Sequence, residues 1–309
     1  MYFRQYNDLD DLQRMKQLLV EILKLKPHST YHPGDMNWRV FVVSSGYSLQ
    51  DMVRLWVDER DNLSGWLFIY PSAKKLDLVV HPTVSGTDTE AQMLEDVEQY
   101  LLSINLSERL ELDMFVFADD APRRSLLEAK GYSGNECRAH FAQSLVGQTY
   151  KPILPDGFRF LKAQEADHAE RRAELHVDAF SPGSTMTTEK YRALMGAPDY
   201  DPEMDVVIVA PDDRYAAFAL GWDDAESKMG LFEPVGTRRV FQRLGLGQAA
   251  LHEAMRRMQV RGIETATVRT SPSLTGVMPF YQTAGFQIMN TIYCYQGFVA
   301  GSSLTIHNG

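Results

Sequence analysis

What most constrains this chain is that it runs through one order of segments twice. A short alternating stretch, Tyr2 to Tyr6, precedes a helical stretch from about Leu9 to Lys24 that places Leu12, Met15, Leu19 and Leu23 on one face. The second half opens alike, with Gly157 to Leu161 and then Asp167 to Phe180. Further on, MVRLWVDERDNLSGWLFIYPSAKKLDLVVHP answers DVVIVAPDDRYAAFALGWDDAESKMGLFEPV, each reading as strand, polar turn, strand, turn, strand. A helix (Glu90 to Ile104, or Gly247 to Arg261), a strand (LELDMFVF or TATVRT) and the segment LLEAKGY or FYQTAGF complete each copy. Phe3 to Phe158 is a step of 155 and Gly131 to Gly285 a step of 154, a constancy that duplication explains and chance similarity does not.

The length of 309 residues agrees, since roughly 150 residues make one domain. The expected organisation is a first domain over 1–147, a linker over 148–156 and a second domain over 157–309. The connection GQTYKPILPDG carries two prolines among polar and glycine turn formers. The order within each copy ends in an apolar strand such as Ile288 to Tyr295. It implies an α+β fold, a mixed and mostly antiparallel twisted sheet flanked by helices. A βαβ step at its centre sets two parallel strands side by side, and a ligand enters where they separate.

A net charge of -10 argues against a nucleic-acid partner, because phosphate backbones are held by clustered Lys and Arg, and it suits a cationic amine better. Cys137 and Cys294 are too few for a zinc cluster or disulfide scaffold, sit in strand-like segments and read as buried thiols; no metal is implied. The opening MYFRQYNDLDDLQRM carries charge where a signal peptide needs an apolar run, and no stretch of about 18 apolar residues occurs. The expectation is a protein of the reducing cytoplasm with no membrane partner.

The run VGTRRVFQRLGLG, Val235 to Gly247, ends a strand-to-helix connection. Its glycines admit backbone conformations closed to other residues, which leaves a row of free N–H groups. Those donors and the positive end of the following helix suit a pyrophosphate. An isolated glycine turn before a helix is an equally good account of such a motif.

Here the second half resembles the GNAT family of acetyltransferases. Gln242, Gly245 and Gly247 fit the family's Q/R-x-x-G-x-G/A loop, and Phe280, Tyr281, Gly285 and Phe286 fit its aromatic-Tyr-x-x-x-Gly-Phe helix. The resemblance extends over both halves as a fold and implies a tandem GNAT protein. Only the second half keeps the motifs: HPTVSGTDTE replaces the loop in the first, and Leu127 stands where Tyr281 stands, so the first half reads as a degenerate copy. Each sheet should then hold a splayed central parallel pair.

By this resemblance acetyl-CoA is the co-substrate. Val235, Gly236 and Thr237 would bond its pantetheine arm through their main chain, with Pro234 marking the splay. Gln242, Arg243, Leu244, Gly245, Leu246, Gly247 and Gln248 would cover the pyrophosphate. Aminolysis of a thioester through a tetrahedral intermediate needs a neutral amine, a stabilised oxyanion and a protonated leaving thiolate. Glu233 is the candidate base and Tyr281 the candidate acid. One departure stands out: many family members place an Asn seven residues before the Tyr, and here that position is Leu274.

The acceptor would meet the loop Phe180 to Tyr191, FSPGSTMTTEKY, with His176, Asp178 and Asp223 near it and Tyr200 and Trp222 as an aromatic wall for a cation. The expected activity is acyl-CoA-dependent N-acylation of a small-molecule or peptidic amine, in a chain for which a homodimer stays open. The alternatives are a non-catalytic acyl-CoA sensor and transfer of a longer acyl group or to a hydroxyl.

Overall fold

Both periodicities become elements close to where the sequence puts them. In the first half these are β1 (Tyr2–Gln5), α1 (Leu9–Leu25), α2 (Pro33–Trp38) with a further turn Arg39–Val43, α3 (Leu49–Met52), β2 (Val53–Val57), β3 (Leu63–Ile69), β4 (Lys75–Val80), α4 (Asp88–Ile104), β5 (Arg109–Phe117), α5 (Ala121–Ala129) and β6 (Ser133–Ser144). The second half has β7 (Arg159–Phe160), α6 (His168–Phe180), α7 (Thr188–Met195), β8 (Asp205–Val209), β9 (Tyr215–Asp224), β10 (Met229–Thr237), a turn Arg239–Phe241, α8 (Leu246–Val260), β11 (Thr265–Thr270), α9 (Val277–Thr283) and β12 (Gln287–Ala300). This computed structural model describes residues 1–28, 30–70, 75–104 and 109–300, so the turn read at Pro71 to Lys74 lies outside the described residues. Among the described residues no helix is long and apolar enough to cross a membrane.

The chain forms two compact units, and each takes material from both halves. One comprises Met1–Leu18, Gly46–Arg138 and the chain from Asn290 onward; the other comprises Leu19–Ser45 and Ala139–Met289. In the first unit β1, β2, β3 and β4 pair antiparallel in that order, β4 meets β5 in parallel at Leu76 and Met114, and β5 pairs antiparallel with β12. Trp56, Leu67, Leu78, Val97 and Leu127 fill its core. In the second unit β7, β8, β9 and β10 pair antiparallel, β10 and β11 run parallel, and β11 pairs antiparallel with β6. There the Ala250, Leu251, Ala254 and Met258 face of α8 packs on Val206, Ala217, Ala219 and Val268 of the sheet.

The mixed sheets with a central parallel pair are thus present, but the halves exchange their last strands. The final strand of the first half, β6, lies beside β11, and the final strand of the second, β12, lies beside β5. Period-2 alternation fixes which face of a strand is buried and says nothing about which edge receives it. The compact units for this reason do not coincide with residues 1–147 and 157–309. Segment Leu19–Ser45, which holds α2, joins the unit that carries the glycine turn.

Candidate functional site

The site begins at the entry to α8. Gly245, its N-cap, has φ +77°, a left-handed conformation natural for glycine, and Arg243 adopts φ +67°, which an arginine enters only at some cost. The result is a run of N–H groups from Arg243 to Gln248 with no acceptor among the described residues, at the positive end of a 15-residue helix. Arg243, Leu244 and Gly245 are exposed, so these donors face solvent. Gly247 is needed for close approach, because a Cβ there would stand 3.1 Å from the Thr237 hydroxyl and 3.3 Å from Phe280. The Gln242 amide bonds the Thr237 carbonyl at 3.4 Å and the Gln248 amide the Thr283 carbonyl at 3.4 Å, which tie α8 to β10 and α9.

Beside this turn the parallel pair opens. β10 matches β11 only over Met229–Leu231 against Thr265–Thr267, and β10 then continues to Thr237 paired with β9 alone. The Arg238 N–H bonds the Ala216 carbonyl, so Gly236 also faces β9 and, by alternation, Val235 and Thr237 direct their main-chain groups into the gap. Of the three residues expected to meet a pantetheine arm, Val235 and Thr237 offer polar groups. Gly236 offers closeness: a Cβ on it would collide with Phe218.

Glu233 lies where the strands diverge, within a cluster that includes residues from the first half. His32 caps α2: its Nδ1 accepts the Gly34 N–H at 3.0 Å, its Nε2 bonds the Met229 carbonyl at 3.1 Å, and its own N–H reaches the Asp35 carboxylate at 2.7 Å. Burial lowers the His32 pKa, which keeps the ring neutral for this pattern. Gly34 presses on Trp222, leaving no room for a Cβ, and the Trp222 indole N–H bonds the Glu233 carbonyl at 2.9 Å. That packing carries Asp35 to Arg269 of β11, with which it forms a buried ion pair, and Arg39 stands 3.5 Å from the same carboxylate. Both guanidinium groups flank the Tyr31 ring, at 4.5 and 5.0 Å from its centroid.

Two carboxyls in this cluster are driven apart. Burial opposes ionisation of Asp35, but Arg269 and Arg39 outweigh it and hold the pKa well below the usual carboxylate range. Burial first, and then the adjacent Asp35 charge, push Glu233 up to about 7, against the pull of Arg269. Glu233 is half-buried as a residue, and its Oε2 is enclosed with no hydrogen-bond partner among the described residues. A protonated Glu233 can donate to Asp35; an ionised one is a base poised near neutral pH. Sequence reasoning singled out Glu233 and passed over Tyr31, His32, Asp35, Arg39 and Arg269, which the fold gathers around it. The only local signal was the HPGD segment, where a proline and an acidic third residue open a short helix.

Tyr281 of α9 is buried among Phe141, Phe280 and Phe286, with ring centroids 5.0 to 5.9 Å away. Burial and then the charge of Glu233 raise its pKa, so the phenol holds its proton. The acceptor-side residues are more dispersed. Tyr200 bonds Asp205 at 3.1 Å in a buried network with His168, Arg172 and Tyr191. Trp222 is 3% exposed and stands behind Glu233, with the Tyr200 ring edge-on to it at 6.5 Å. Asp178 accepts the Arg239 N–H at 2.7 Å, Asp223 pairs with Arg261 at 3.5 Å, and His176 bonds Ser184 at 2.8 Å with its pKa lowered to about 4, chiefly by burial. An open cavity of about 600 Å³ lies along α6 and the 180s loop, lined by Val177, Asp178, Ser181, Thr187 and Arg239.

The corresponding helix start in the first unit is already filled. Glu90 of α4 turns back to accept the Gly86 N–H at 2.6 Å and pairs with Arg123 at 2.5 Å, so a protein carboxylate sits where the second unit presents open donors.

Residues 169–286 match the family model described as the acetyltransferase (GNAT) family. No curated protein matches the chain. Among solved structures, a tandem GNAT protein from the clavulanic acid biosynthesis pathway is similar over 97% of this chain and 99% of its own, with TM-score 0.69 and 13% identity. A GCN5-related N-acetyltransferase from Sphaerobacter thermophilus aligns over 97% and 96%, with TM-score 0.64 and 18% identity. Saccharomyces cerevisiae N-myristoyltransferase with bound myristoyl-CoA aligns over 97% of this chain and 78% of its own, with TM-score 0.58 and 11% identity. Residues 169–286 are thus similar to the GNAT family, in a chain whose whole length shares the fold of a tandem GNAT protein.

Proposed function

We propose that this protein is an acyl-CoA-dependent N-acyltransferase, with acetyl-CoA as donor and a small-molecule or peptidic amine as acceptor. The observation that carries this reading is the open row of N–H groups from Arg243 to Gln248, continuous with the gap between β10 and β11 and leading to Glu233. The first fits a pyrophosphate and the second a pantetheine arm bonded by Val235 and Thr237. Glu233 takes the proton of the attacking ammonium, directly or through water, while Asp35 and Arg269 keep its affinity for that proton near neutral pH. Tyr281 donates to the departing thiolate. Trp222 is a positioning residue that fixes the Glu233 main chain. We read the first unit as having no CoA site of its own, since Glu90 occupies the equivalent helix start.

CoA release on a panel of amines tests this proposal. Glu233→Gln and Tyr281→Phe should each lower kcat by about 10² to 10⁴-fold while acyl-CoA still binds. Tight CoA binding without turnover on any amine would favour a sensing module instead.

A further inference from the structure

The two cysteines of the chain, read from sequence as buried, are both half-buried, and they face each other. Cys137 is on β6 and Cys294 on β12, neighbouring strands of the sheet, and both positions belong to the first unit. Three contacts set the register. A Cβ on Gly134 would stand 2.6 Å from the Tyr295 ring, a Cβ on Gly297 would stand 2.3 Å from the Tyr132 ring, and the Tyr293 hydroxyl bonds Glu136 at 3.2 Å. Partners that rise along one strand as they fall along the other mark an antiparallel pair, and alternation then sets Cys137 and Cys294 together on the face opposite these contacts. The two thiols are within hydrogen-bonding contact of each other. Facing residues of neighbouring antiparallel strands have Cα atoms about 4.5 to 5.5 Å apart when directly opposed and about 7 to 8 Å apart when diagonal. Disulfides span Cα separations of about 4.4 to 6.8 Å.

The surroundings make one sulfur the better nucleophile. Phe115 is the β5 partner of Cys294, and Arg138 and Lys75 lie 5.0 and 6.0 Å from its ring. The hydrogen bond from Cys137, helped by these two cations against burial and Asp113, draws the Cys294 thiol down to about 7, while the same contact and burial raise Cys137.

We propose that Cys137 and Cys294 are a modification site that takes up a hydroperoxide and closes to a reversible cross-strand disulfide. The Cys294 thiolate attacks one peroxide oxygen and breaks the O–O bond; the other oxygen leaves as water after gaining a proton, and Cys294 becomes a sulfenic acid. Cys137 then attacks that sulfur, the S–O bond breaks, and the Cys137 proton leaves with the oxygen as a second water. Two thiols lose two electrons and two protons, and one peroxide becomes two waters. The bond ties β12, the exchanged terminal strand of the first unit, to β6 across a covalent loop that spans the second half.

The test is to treat the reduced full-length protein with one equivalent of hydrogen peroxide and follow intact mass, peptide mapping and thiol alkylation. The expected result is the loss of two hydrogen atoms, a linked peptide pair containing Cys137 and Cys294, loss of both alkylatable thiols, a Tm raised by several degrees and full reversal by dithiothreitol. In Cys137→Ser, Cys294 should stop at a sulfenic acid that dimedone captures. Both thiols remaining open to alkylation would overturn the proposal, as would oxidation of Cys294 to sulfinic acid with no linked peptide in the wild type, or disulfides only between molecules. The wild-type mapping decides even if a variant fails to fold.

Discussion

Asp35 and Glu233 are the pair on which the proposed chemistry turns, because two carboxyls in one enclosed cluster cannot both ionise easily and the guanidinium groups decide which does. Arg269 and Arg39 are closest to Asp35, which leaves Glu233 as the group that titrates near neutrality. In Asp35→Asn the pKa of Glu233 should fall, moving the ascending limb of the kcat/KM profile to lower pH, and Asp35→Glu should restore it. A profile that stays in place on a folded variant would leave Asp35 only as the cap of α2. The substitution also removes the carboxylate nearest two buried cations, which an ionised Glu233 replaces only in part, a cost of up to about 3 to 5 kcal/mol that urea unfolding will register. The sign for Glu233 itself is the reverse of an ordinary salt-bridged acid. Its folded pKa lies above its unfolded value, so its contribution to stability is present below the unfolded value and is lost as pH rises through about 7. The pairing was not legible in sequence, since Asp35 and Glu233 stand far apart in the chain and meet through the docking of α2, with Gly34 on Trp222 and His32 on the Met229 carbonyl.

At the level of elements, the turn into α8 and the diverging ends of β10 and β11 were the best-read features, because glycine placement and strand periodicity are local signals. Gly245→Ala tests the turn. No atom lies within 4 Å of the added Cβ, so the effect is conformational: holding alanine at φ +77° costs about 1 to 2 kcal/mol. If that strain is released by turning the N–H groups away, KM for the acyl-CoA should rise about tenfold with kcat little changed. An unchanged KM would mean that the donors from Arg243 to Gln248 do not hold the ligand. Tyr200 and Trp222 show the opposite case. Their aromatic character was plain, but the hydroxyl of one serves the Asp205 network and the indole N–H of the other serves Glu233, and sequence spacing cannot say where a polar tip finds its partner.

For the whole molecule, the exchange of β6 and β12 makes each half dependent on the other. Residues 148–309 expressed alone would lack β6 beside β11 and lack Tyr31, Asp35 and Arg39, so we expect a poorly folded product without acyl-CoA binding. Adding the first half as a separate chain should restore a folded complex, measured by circular dichroism, size exclusion and turnover. An isolated second half that folds and binds would refute this dependence. The sequence by itself determined that there are two copies of one α+β pattern and which copy keeps the glycine turn before a helix, because periodicity, glycine placement and motif spacing act over short stretches of chain. Only the tertiary structure decided that the last strands change places and that α2 of the weaker copy supplies Asp35 to the stronger one. Strand partners and buried ion pairs are chosen by which edges and charges meet in space, and neighbouring residues carry no record of that choice.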